Sequence, residues 1–165
     1  MNRKEILNWY KEEFESISNG IKNKNSLNYL DFLRIRNFKL QNSSRAEEKE
    51  IFEITKRAFE FAKNDQIKEA ISVLKENLNG VAIPIASTIL AMRFPEKYAI
   101  IDVNVINQLG KIEWLEKYKE DLEIYEKYLL LMRENAKNEN KTLRDYERGL
   151  FEAEAKKGEI KLRRK

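Results

Sequence analysis

Almost nothing in this chain interrupts a helix: its 165 residues include five glycines and two prolines, both well below average usage. An all-α fold is therefore expected. Segment 3–18 places Ile6, Trp9, Tyr10, Phe14 and Ile17 at helical spacing, with Gly20 as its stop, and Tyr29, Phe32 and Leu33 mark a second helix from near Ser26. The stretch Phe38–Arg45 lacks periodicity and reads as a loop. Ser44 with Glu47 then forms a capping-box signature for a helix over 45–63, followed by one carrying Ile67, Ala70, Ile71, Leu74 and Leu78. Further helices are expected near 114–137 and 142–155, the latter opened by Thr142 with Asp145. Residues 1–155 read as a single all-helical domain and 156–165 as a basic C-terminal tail.

The chain has neither cysteine nor histidine, which removes disulfides, thiolate and imidazole metal sites, cysteine-ligated iron–sulfur clusters and Ser-His-Asp or Cys-His catalysis. Chemistry is left to carboxylates, lysines, hydroxyls and backbone. With 32 Lys and Arg against 28 Asp and Glu, the formal charge is +4 and the pI about 9.1, values that permit a nucleic-acid partner without requiring one. The charged opening MNRKEILNWYKEEFES does not fit a signal peptide, and no apolar run approaches the length of a membrane span. A soluble, cytoplasmic, nucleoid-associated protein is expected.

Residues 78–109 break the pattern, holding Gly80, Pro84, Pro95 and the most apolar composition of the chain. Leu78 ends one helix, Asn79 to Ile83 form a tight turn, and Pro84 opens the next helix where its missing N–H costs nothing. This reads as a helix–hairpin–helix. Ala86, Ile89 and Leu90 supply a buried stripe, while free N–H groups around Ile83, Ile85 and Ala86 make an anion site suited to one backbone phosphate. An isolated turn of this kind could equally do no more than join two packed helices.

The segment LNGVAIPIASTIL resembles the LPGVGxxTAxxIL element of the helix–hairpin–helix DNA glycosylase superfamily (HhH-GPD), in which a catalytic aspartate follows in a V-D-x-x-V context. Here Asp102 lies 24 positions after Leu78 (102 − 78), within Ile101-Asp102-Val103-Asn104-Val105, and Ala86 and Leu90 fall in register. LRDYERGLFEAE, Leu143 to Glu154, looks like the closing helix of small members. The resemblance implies a compact HhH-GPD-like helical domain and phosphate contacts from Gly80, Val81, Ala82, Ile83, Ile85 and Ala86. It also implies a monovalent cation at the hairpin backbone, no organic cofactor, and double-stranded DNA containing a damaged base as partner. A monomer is expected.

Two departures stand out. Members that cleave the backbone carry a lysine six positions after the leading leucine, and that position is Pro84 here. A lysine from another helix, Lys39 or Lys68, could replace it geometrically. The second hairpin glycine is Ala82, whose methyl group restricts how closely a phosphate approaches. Lack of cysteine points to the smaller, cluster-free branches.

N-glycosidic cleavage builds positive charge on the sugar, so a fixed Asp102 carboxylate beside C1′ would stabilise the transition state and orient the attacking water. The base must first be extruded from the duplex. The competing structural role for Asp102 is a helix N-cap before Val103 to Leu109, and the two are compatible. Alternatively YAIIDVNVI could be a buried strand, although no second strand is evident to pair with it. Tyr29, Phe32, Phe38 and Trp114 are aromatic candidates for the base pocket, and Lys39, Arg45 and Arg93, with the tail Lys161–Lys165, are candidates for phosphate contact. The expected activity is that of a monofunctional glycosylase in base excision repair. A non-catalytic module recognising bent or damaged duplex and a helical protein-interaction domain are the alternatives.

Overall fold

A computed structural model describes residues 2–39 and 46–157. The described residues are all-helical, in the order α1 (Arg3–Ile21), α2 (Tyr29–Phe38), α3 (Glu48–Lys63), α4 (Ile67–Asn77), α5 (Ile83–Arg93), α6 (Val103–Gln108), a 3-10 turn (Ile112–Trp114), α7 (Leu122–Asn138) and α8 (Leu143–Lys156). None is long and apolar enough to cross a membrane.

Local capping explains most of these boundaries. Asn2, Asn28 and Thr142 accept the backbone N–H three residues on, from Glu5, Asp31 and Asp145, satisfying N–H groups that the first helical turn leaves open. The second helix thus begins after Asn28 rather than near Ser26. Gly20 does not stop α1, which runs to the buried Ile21. The third helix starts at Glu48, where the Glu47 N–H donates to the Glu50 side chain at 3.3 Å; Ser44 lies outside the described residues. Residues 115–120 turn instead of continuing a helix from 114, and α7 begins only where Asp121 caps the Glu123 N–H at 2.9 Å.

The organising element is α5. Every residue from Ile85 to Met92 is buried, wider than the expected Ala86, Ile89 and Leu90 stripe, so this helix is the core rather than a wall of it. Its two hydroxyls would be costly there unpaired. Ser87 and Thr88 each donate to the Pro84 carbonyl at 2.8 Å. α1, α2 and α4 pack on α5, α3 lies against α4, α7 packs between α4 and α8, and α6 is held against α8.

The α4–α5 turn needs a left-handed residue and has one: Gly80 has φ 76°, a conformation open to glycine and strained for L-residues with a Cβ. Gly80→Ala is expected to cost about 1–2 kcal/mol in urea unfolding, and an unchanged midpoint would contradict the assigned turn.

Candidate active site

The backbone from Tyr98 to Ile101 is buried, lies in no helix and has no paired strand among the described residues, and it leads into the half-buried Asp102, whose own backbone is extended, yet buried backbone polar groups need partners. Four side chains supply them. Tyr125 Oη donates to the Ala99 carbonyl (3.0 Å) and Tyr128 Oη to the Ile100 carbonyl (2.6 Å), while the Ile100 N–H donates to Glu147 Oε2 (3.1 Å) and the Ile101 N–H to Ser87 Oγ (3.1 Å). Residues of α5, α7 and α8 thereby take the place of neighbouring strands.

Asp102 is where this segment emerges. Its Oδ1 accepts the Asn104 N–H at 2.8 Å, the N-cap of α6, and its Oδ2 faces Lys39 Nζ at 3.2 Å. The side chains of Lys39 and Asp102 are 15% and 21% exposed, so the pair is neither sealed in the core nor freely solvated. Lys39 follows the end of α2. Of the two lysines considered for replacing the hairpin lysine, Lys39 therefore meets Asp102, whereas Lys68 pairs with Glu123 at 2.7 Å.

Asp102 is also tied to the α4–α5 turn. The Ile101 N–H reaches Ser87, and Ser87 reaches Pro84, four residues past Gly80. At the turn itself the pattern differs from expectation, because two of the amides assigned to an anion are engaged. The Ile83 N–H donates to the Lys119 carbonyl at 3.2 Å and the Ala86 N–H to the Ala82 carbonyl at 3.0 Å. The Val81 N–H is bonded to the Leu78 carbonyl at 3.2 Å. Among the described residues the amides of Gly80, Ala82 and Ile85 have no such partner, and Gly80 is exposed while Ala82 is half-buried. Ile85, by contrast, is buried, so the accessible part of the turn is Gly80 and Ala82.

Several other candidates are relocated. Arg93 is ten residues beyond Ile83, about 15 Å along the helix axis, so it does not stand at the turn. Its Nε donates to the Lys24 carbonyl at 2.6 Å and its guanidinium lies 4.3 Å from the Phe94 ring centre. Burial lowers its pKa. Phe32 and Phe38 are core residues, Phe38 being stacked on Trp9 and edge-on to Tyr10. Tyr29 sits at the far end of α2 from Lys39. Trp114 stands edge-on to Tyr128 at 6.5 Å with Lys111 Nζ 5.7 Å from its ring centre. Exposed Val103 and Ile112 add apolar surface on and beside α6. Arg45 and Lys161–Lys165 lie outside the described residues. Two surface hollows of about 520 and 570 Å³, one on α3 around Phe61 and one at the α7–α8 corner around Arg133, do not border Asp102.

Ser87, Tyr125, Tyr128 and Glu147 were not picked out from the sequence. Tyr125 and Tyr128 are three apart on one helix face, and Glu147 lies in the Leu143–Glu154 stretch singled out by resemblance, but nothing local joins them to Asp102.

Glu147 is 4% exposed and accepts Arg144 Nη1 at 2.8 Å on its other oxygen. Burial raises its pKa, opposed by Arg144, the Ile100 N–H and the charge of Lys39. Burial likewise holds the Tyr128 phenol far above its usual value, and the charges of Glu147 and Asp102 push it further up, which keeps it a donor. Because folded Glu147 holds its proton more tightly than unfolded Glu147, its contribution makes stability decline as pH rises above about 4.5. Glu147→Gln is expected to remove that component, flattening stability against pH relative to wild type. Parallel profiles would contradict it.

Comparison of the chain with protein-family models, curated proteins and solved structures gives no match. The geometry and chemistry of Asp102 and its neighbours carry the functional reading.

Proposed function

We propose that this protein is a monofunctional DNA glycosylase of the helix–hairpin–helix type, acting in base excision repair on a damaged base extruded from duplex DNA. Asp102 is its essential carboxylate. The observation that carries this reading is the linkage of a partly exposed, firmly held carboxylate to the Gly80 turn, through Ile101, Ser87 and Pro84. The exposed Gly80 amide and its neighbours would meet a backbone phosphate, fixing the strand while the nucleotide turns out. Water then attacks C1′, the bond from C1′ to the base nitrogen breaks, and the base leaves with a proton. The Asp102 carboxylate offsets the positive charge that develops on the sugar and orients the water. The working form in this reading is an intracellular monomer on damaged double-stranded DNA.

The test is incubation with duplexes carrying uracil, 8-oxoguanine, an alkylated purine or a mismatch, followed by hot alkali. Strand breaks from at least one duplex are expected. Salt-dependent binding without breaks from any of them would replace this reading by a non-catalytic DNA-binding module, and absence of both would remove DNA from the account.

A covalent variant has one observation in its favour, the position of Lys39 Nζ 3.2 Å from Asp102, since an amine beside C1′ can attack the opened sugar. Borohydride trapping on damaged duplex separates the two. A trapped adduct lost in Lys39→Gln and kept in Lys68→Gln would assign the amine, and no adduct leaves the hydrolytic route.

A further inference from the structure

We infer that Glu147 is a positioning residue for Asp102, acting through the Ile100 N–H and braced by Arg144. This rests on the glycosylase reading for its activity measurement and on geometry alone for its structural one.

The segment Tyr98 to Asp102 has to end with its last residue at a fixed place, and a chain without strand neighbours has no ladder to fix its register. Three of the four side chains on it are neutral hydroxyls, sufficient to satisfy a carbonyl or an amide. The fourth is a carboxylate, buried where a charge is expensive and paired with Arg144, whose guanidinium lies 3.6 Å from the Phe14 ring centre. A buried ion pair adds little to stability over apolar residues of the same size, so stability is a poor account of its presence. What it adds is direction. Arg144 holds one carboxylate oxygen at 2.8 Å and the other receives the Ile100 N–H at 3.1 Å, pinning the backbone two residues before Asp102. Ile100 is also held on its carbonyl side by Tyr128 at 2.6 Å. With Ile100 fixed on both sides, Asp102 is delivered to the Asn104 N–H and to Lys39.

The test compares Glu147→Gln, which keeps an acceptor for Ile100, with Arg144→Met/Glu147→Met, which replaces the pair by apolar side chains and leaves the Ile100 N–H without its acceptor. Two readouts are taken. Hydrogen exchange of the Asn104 amide reports whether Asp102 still sits on its cap. Single-turnover base release, on whichever duplex wild type processes, reports the consequence. The double variant is expected to fold with a stability below that of wild type, the cost of the unpaired Ile100 N–H rather than of the lost ion pair, to lose Asn104 protection while α4 amides keep theirs, and to release base about 10- to 100-fold more slowly at unchanged duplex affinity. Glu147→Gln is expected to stay within about threefold of wild type, because it preserves the hydrogen bond that positions the segment. Wild-type Asn104 protection in a folded double variant would overturn the inference, as would an unchanged release rate. If the double variant does not fold, Glu147→Ala, which also removes the acceptor of the Ile100 N–H, takes its place: loss of Asn104 protection sustains the inference, and wild-type protection with wild-type rate overturns it. If wild type releases no base, the glycosylase reading fails and the exchange measurement still decides the positioning role.

Discussion

On the proposed glycosylase function, Asp102→Asn is expected to slow base release by about 10²- to 10⁴-fold, the range for losing a group that assists proton transfer or stabilises transition-state charge. Asparagine suits the position structurally. Its side-chain oxygen can still accept the Asn104 N–H that Asp102 now holds at 2.8 Å, and asparagine caps helices about as well as aspartate. The folded state is therefore retained and the missing element is the charge. Duplex affinity should persist, because the amides of Gly80 and Ala82 are untouched. Asp102→Ala separates the roles further: it removes the cap as well, for a loss of roughly 0.5–2 kcal/mol. Wild-type turnover in Asp102→Asn would eliminate the carboxylate mechanism.

Phe59→Ala is expected to cost about 3–5 kcal/mol in urea unfolding, as for other fully buried aromatics. That corresponds to a drop of roughly 6–20 °C in Tm for a domain of this size. Phe59 is 0% exposed and meets Phe94 edge-on at 5.7 Å. The Arg93 guanidinium lies over both rings. Truncating Phe59 opens a cavity beneath Arg93 and loosens the end of α5, whose opposite end forms the Gly80 turn. A loss below about 1 kcal/mol would mean that this layer relaxes to fill the space, and the assignment of Arg93 as a packed, structural cation would lose its footing.

The all-helical character was legible because scarce glycine and proline, apolar periodicity and caps such as Thr142 agree with one another. Where two local signals competed, the boundary moved. Trp114, Leu115 and Tyr118 keep helical spacing, yet the chain turns through 115–120 and restarts only at the Asp121 cap. Gly20 carried a stop signal, but burial of Ile21 extends α1 past it. For Asp102 the N-cap was readable, since an extended apolar run entering a helical pattern calls for a capping side chain. Its partner was named, but not the partnership: Lys39 is 63 positions earlier, and no periodicity links residues that far apart. The same holds for the frame around Ile100 and Ile101. Ser87, Tyr128 and Glu147 come from three helices and meet only because each satisfies a backbone group that a sheet would otherwise have paired. The turn was read correctly at Gly80, whose positive φ only glycine adopts freely. Its amides were not, because the carbonyl that takes the Ile83 N–H belongs to Lys119, in a distant turn.

The account depends on Asp102 and the Gly80 turn addressing one and the same DNA duplex. Amide chemical shifts of the 19.7 kDa protein, followed while a duplex bearing a stable abasic-site analogue is added, test this directly. Joint, saturable shifts of Gly80 and Ala82 together with Asn104 and the residues flanking Asp102, weakening as salt is raised, are the predicted result. Shifts at the turn that leave Asn104 and its neighbours unmoved at saturation would place the carboxylate away from the bound strand and contradict it.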